Sequence, residues 1–155
     1  MLSSPLQLNG YFLTELNYVL LNDFKSPPVG TIKYDNLELQ LEADTKQYTE
    51  DPLEWRCQLL VASKDTVNKR HPYHFRVVYV GFFTISADYP KDRVELLAKT
   101  NAPALLYSAI RETLISLTSR GPVPPLLLPS VTFLDKAPQE DKSATRKQSR
   151  RKLTK

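Results

Sequence analysis

The 155-residue chain predicts an α+β domain with an antiparallel sheet, followed by a basic tail. Three observations carry that prediction. Apolar residues alternate with polar or smaller ones through most of the stretch from Leu6 to Ile85, the period-two signature of half-buried strands. Between Pro90 and Gly121 the spacing lengthens to three and four residues, as on one face of a helix. Beyond Ala137-Pro138 the chain is polar and basic apart from Leu153 and a single alanine, and a segment of that make-up has no core to fold around. With 41% apolar and 25% charged residues, the rest of the chain can bury one.

Leu6 to Leu21 reads as a first strand through Leu6, Leu8, Phe12, Leu16, Tyr18 and Leu20, with its alternation disturbed at Gly10-Tyr11, where a bulge or bend is expected. Asn22 to Gly30, with Pro27-Pro28, is a loop, because prolines remove ladder donors. Leu37 to Glu42 alternates strictly and predicts a second strand with one buried face. After a polar turn over Tyr48–Pro52, Leu53, Trp55, Cys57, Leu59 and Val61 share the inner face of a third strand, opposite Glu54, Arg56 and Gln58. A charged loop from Lys64 to Pro72 leads to a long fourth strand. One of its faces carries Tyr73, Phe75, Val77, Tyr79, Gly81, Phe83 and Ile85; the other passes from His74 and Arg76 to Val78, Val80 and Phe82. A strand greasy on both faces calls for cover on both, and in so small a domain a second subunit can supply it.

Pro90-Lys91-Asp92 opens a helical stretch through Val94, Leu96 and Leu97. Thr100 or Asn101 can cap a second helix with Pro103 in its first turn. Leu106, Ile110, Leu114 and Leu117 form its apolar stripe, and Arg120-Gly121 is the expected stop. Pro122, Pro124, Pro125 and Pro129 hold the next stretch extended while it still carries Val123, Leu126, Leu127, Leu128, Val131 and Phe133. An apolar extended segment of this kind must lie in a groove or form one.

The organisation that follows is a domain over residues 1–135 and a tail over 136–155. The tail holds eight basic and two acidic residues, a net +6, while the preceding 135 residues carry −2. One cysteine, Cys57, excludes an internal disulfide and a cysteine-cluster metal site, and its place in the apolar register of a strand marks a buried thiol. His71 and His74, three residues apart on a strand, point to opposite faces and make no metal pair. Glu50-Asp51 reads as a solvated turn, and Arg111-Glu112 as surface or interface charges. No glycine-rich phosphate loop and no catalytic constellation is visible, so no enzyme, cofactor or metal is expected. No leader precedes an apolar block and no apolar run approaches the roughly 20 residues of a membrane span, so a cytoplasmic protein is expected.

The 29-residue string LLYSAIRETLISLTSRGPVPPLLLPSVTF, Leu105 to Phe133, resembles the SecB family of protein-export chaperones. The likeness includes Tyr107, Ala109 and Arg111-Glu112, then Ser119-Arg120-Gly121, Pro125-Leu126-Leu127-Leu128 and Val131-Thr132-Phe133. Phe12–Tyr18, Leu37–Asp44, Asp51–Ala62 and Gly81–Ile85 resemble the family's four strands in order, so the resemblance covers residues 6–134. It implies a four-stranded antiparallel sheet with helices on one face, assembled as a dimer of dimers, with the Leu106, Ile110, Leu114, Leu117 stripe at an oligomer interface. It implies a holdase without ATP that binds unfolded or precursor polypeptides in apolar grooves and passes them to the SecA motor. By analogy the groove is lined by Phe24, Val29, Ile32 and Tyr34 from the loop after the first strand, and by Val123, Leu126, Leu127, Leu128 and Val131.

The chain departs from the family pattern in two places. The positions that would face SecA are Glu15, Val19, His74 and Arg76, and only Glu15 keeps the negative charge of the family's acidic face, which weakens that docking. The family's further amphipathic helix after the Phe133 position is replaced by the polar, basic tail. Two other readings therefore stand beside general export. One is a dedicated chaperone of a single partner such as an antitoxin; the other is an oligomeric adaptor whose tail binds nucleic acid or an anionic surface.

Overall fold

The computed structural model describes residues 3–21, 37–64 and 72–134. Four strands form one antiparallel sheet: β1 (Leu6–Leu20), β2 (Leu39–Gln47), β3 (Glu54–Ser63) and β4 (Tyr73–Ile85), in the order β1-β4-β3-β2. A short 3-10 turn, Lys91–Arg93, leads into one helix, α1 (Val94–Thr118), which packs across a single face of the sheet. The inner faces of β3 and β4 are those the alternation predicts. Trp55, Cys57, Leu59 and Val61 from β3, and Phe75, Val77, Phe83 and Ile85 from β4, are buried beneath Ala98, Ala102, Leu106, Ile110 and Leu114 of α1. Gly81 lets the helix come this close, since a Cβ there would lie 2.8 Å from Leu106 Cδ2.

β1 holds two bulges. Its register against β4 shifts between Leu8 and Gly10 and again between Leu13 and Glu15. Each extra residue turns the following side chains to the opposite face. Leu6 and Leu8 pair with Ile85 and Phe83, Tyr11 and Leu13 with Gly81 and Tyr79, and Leu16, Tyr18 and Leu20 with Val77, Phe75 and Tyr73. All seven therefore share the helix-facing side. Phe12, which simple alternation places among them, pairs with Val80 on the other side.

The helical region is continuous across Pro103 instead of breaking into two helices before it. An interior proline forfeits a backbone hydrogen bond, at a cost of about 3 kcal/mol or more. Here one buried line, Val94, Ala98, Ala102, Leu106, Ile110, Leu114 and Thr118, runs at four-residue spacing through the proline, and Pro103 itself is buried. Packing on both sides of the break holds the helix together. The outer face of β4 needs no second layer at its centre, for Val78 and Val80 are buried within the chain, Val78 in a small cluster with Leu60 and Ala62.

From Gly121 to Phe133 the extended, proline-rich segment runs back along α1 as a strap. It starts where Thr118 Oγ1, fully buried, donates to the Leu114 carbonyl at 2.6 Å and accepts from the Leu126 amide at 2.8 Å. Midway, the Tyr107 hydroxyl donates to the Pro129 carbonyl at 2.6 Å. At its end the Phe133 ring meets the Tyr107 ring edge-on at 6.0 Å. Gly121 is required at the turn, because a Cβ there would come within 2.7 Å of Tyr73 Oη.

Candidate functional site

The strap alternates in and out. Leu126 and Leu128 are buried in the core, so the structure corrects their assignment to a polypeptide groove: pinned by Thr118 and by the proline spacing, they stabilise the fold. Leu127 between them is 56% exposed, and Val123 and Val131 are half-buried. The strap ends at a cavity of about 640 Å³ between β2 and the first turns of α1, lined by Ala43, Thr45, Leu96, Thr100 and Phe133 among others. Phe24, Val29, Ile32 and Tyr34 lie outside the described residues.

A second apolar surface lies on β1. Of the seven side chains that its bulges turn toward the helix side, only Leu6 is deeply buried. Tyr11 is 50% exposed, and Leu8, Leu13, Leu16 and Tyr18 are 37–39% exposed. Among the described residues β1 pairs only with β4, so its other edge has no strand partner there. The sequence shows this strip only in part, because between the two bulges the period-two reading slips and puts Phe12 in place of Tyr11 and Leu13. Leu106, Ile110 and Leu114, the interface stripe expected from the sequence, are fully buried inside the single chain. They offer no surface to a second copy, and only Leu117 of that set is partly exposed. Arg111 Nε, on the same helix, is buried and has no hydrogen-bond partner among the described residues.

The four positions expected to face a motor partner are gathered on the sheet face away from the helix. Val19 pairs in register with His74, and Glu15 accepts from Arg76 Nε at 2.8 Å, which leaves this corner without net negative charge. His74 Nδ1 is 3.1 Å from the Ser63 hydroxyl.

Among the described residues no three His, Cys, Asp or Glu side chains cluster as metal ligands. Burial pushes the Cys57 thiol above its ordinary range, against a smaller opposing effect from the Thr45 hydroxyl, which donates to its sulfur at 3.2 Å. That thiol is a packing group. Among the described residues no helix is long and apolar enough to cross a membrane.

The model of the preprotein translocase subunit SecB family matches residues 21–140, more than three-quarters of the chain. A protein-export protein SecB of Methylococcus capsulatus is 28% identical over 109 residues, spanning 70% of this chain and 68% of that one. A protein-export protein SecB of Rhodospirillum centenum is 23% identical over 133 residues, 86% of this chain and 77% of its own length. The Mycobacterium tuberculosis SecB-like chaperone Rv1957, solved with a ChAD peptide from the antitoxin HigA1, shares the fold with a TM-score of 0.54 at 15% identity, over 84% of this chain and 88% of that one. A four-stranded antiparallel sheet with one helix across it, an extended strap and a family match over most of the length together establish that this chain belongs to the SecB family of protein-export chaperones.

Proposed function

We propose that the protein is an ATP-independent holdase that binds unfolded polypeptides on its apolar surface and keeps them competent for translocation. The observation that carries this is the strap, which is anchored by Leu126 and Leu128 yet presents Leu127 outward between half-buried Val123 and Val131. An extended client laid along it buries apolar side chains without having to fold, and binding only the unfolded state delays folding by mass action. The loop residues Phe24, Val29, Ile32 and Tyr34 extend that surface in this reading. The open edge and apolar strip of β1 join copies into a homo-oligomer, a dimer of dimers. The orphaned Arg111 Nε supports an acceptor supplied by a neighbouring copy. Several weak sites on one assembly then add by avidity. The domain ends near residue 135, and the protein acts in the cytoplasm.

The test is the affinity of a fluorescent, extended apolar peptide, read by anisotropy alongside the assembly mass. Burying one leucine contributes about 1.5–3 kcal/mol, so Leu127→Asp is expected to weaken binding by about tenfold or more at unchanged mass. Unchanged affinity would move the client site off the strap. Tyr11→Ser with Leu13→Ser is expected to lower the assembly mass instead.

A second reading is favoured by the outer sheet face, where Glu15 is tied to Arg76 and the neighbouring positions are Val19 and His74. Complementarity to a basic motor surface is weak there. A chaperone dedicated to one partner, such as an antitoxin, needs no SecA docking. Co-purification from the host separates the two, since general export brings many precursors with SecA and a dedicated role brings one dominant small partner.

A further inference from the structure

The sheet face away from the helix carries an aromatic notch at one end. Tyr48 stands just past β2, 57% exposed, and its ring meets Phe82 edge-on at 4.8 Å. Phe12 on β1, 51% exposed, lies 6.0 Å beyond Phe82. Between these rings and the start of β3 is a cavity of about 200 Å³ lined by Asn9, Tyr48, Glu54, Trp55, Phe82 and Phe83. Glu54 lines this cavity, and two further carboxylates, Glu50 and Asp51, lie in the turn between β2 and β3 that leads to it. Asp51 Oδ1 accepts from the Leu53 amide at 2.9 Å and Glu54 Oε2 from the Thr49 hydroxyl at 2.9 Å, so both are held by neutral donors. The nearby cations are committed elsewhere, Lys46 to Asp44 at 3.1 Å and Arg56 to Asp44 at 4.0 Å and to Gln58. Exposed aromatic faces beside a carboxylate suit a guanidinium, attracted by both ring and charge.

The chain holds such groups within reach. Segment 146–152, RKQSRRK, carries five positive charges. The last described residue, Leu134, follows Phe133, which shares a cavity with Thr45 of β2. Tyr48 is three residues further along the chain, just past the end of β2, about 10 Å at strand spacing. The twelve residues from Leu134 to Arg146 can span about 40 Å. The other acidic region, at the start of α1, is already balanced: Asp92 pairs with Arg93 and Glu95 with Lys99.

We propose that the basic segment 146–152 docks in cis on this notch, with one of Arg146, Arg150 or Arg151 seated over the Tyr48 and Phe82 rings against Glu54. The contact holds the positive charge against its own sheet and gives it up to a polyanion or to high salt. It is independent of the holdase reading.

The test uses the full chain with a nitroxide on Ser149→Cys; Cys57 is fully buried and stays unlabelled. The amides of Tyr48, Glu54 and Phe82 are expected to lose most of their intensity to paramagnetic broadening and to recover it at about 1 M salt, where the screening length falls to about 3 Å. Tyr48→Ala alters an exposed ring and leaves the core intact, and it is expected to abolish the broadening, as is Glu54→Gln. A mixture of nitroxide-bearing unlabelled chains with nitroxide-free isotope-labelled chains is expected to show none. Absence of broadening at this notch, broadening centred on the Asp92–Glu95 region, persistence in Tyr48→Ala, or broadening in the mixture would each overturn the proposal.

Discussion

Thr118 shows how much one side chain can hold. It closes the last turn of α1 and receives the first amide of the buried strap, and it is itself fully buried. Thr118→Val keeps the shape and removes both bonds, which strands the Leu126 N–H away from water. Such a loss costs about 1–3 kcal/mol, and urea denaturation should show it as a lower midpoint at unchanged slope. Gly81 acts through the side chain it lacks. Gly81→Val forces Leu106 and Phe83 aside, and overpacking of this kind costs about 1–3 kcal/mol, read in the same titration. Neither role is legible in the sequence. A threonine near a helix end and a glycine inside an apolar run are each ordinary there, and their roles arise only when the strap and the helix arrive. The inward faces of β3 and β4, by contrast, are legible residue by residue, because unbroken alternation leaves one arrangement that buries them.

At the scale of elements, β1 and the strap carry the proposed function, and they are where the sequence is hardest to read. The bulge near Gly10 is foreseeable; the one at Thr14 is not, since nothing in Leu13-Thr14-Glu15 breaks a strand pattern. Together they collect Leu8, Tyr11, Leu13, Leu16 and Tyr18 on one face that a strict period of two disperses. For the strap, composition predicts an extended apolar segment, but which leucine faces out depends on the Thr118 and Tyr107 anchors. Tyr107 also gives the strap a pH dependence. Burial pushes its phenol above the ordinary value, with Arg111 acting weakly the other way. A raised folded value means that its contribution is full below the unfolded value near 10 and is lost as pH rises through the folded one. Stability should therefore fall in the alkaline range. Tyr107→Phe should lose about 1 kcal/mol at neutral pH and show a smaller alkaline decline, as measured by thermal unfolding across pH. Tyr73, raised by burial in the same way, keeps part of that decline in the variant.

For the whole molecule, the central feature is that the described residues bury a core and still leave apolar strips on β1 and the strap exposed. That is what a protein that serves other chains requires, and it is costly for one that works alone. Family membership, the sheet and the helix were all within reach of the sequence. Which leucines of the helix and strap are spent on the core was not, because burial depends on how one chain closes on itself. The most direct measurement is light scattering from a chemically unfolded client diluted into buffer with the purified protein and no nucleotide. A holdase is expected to suppress aggregation in proportion to added protein and to release the client later to fold. Unhindered aggregation at molar excess, or suppression only when ATP is present, would contradict the holdase reading.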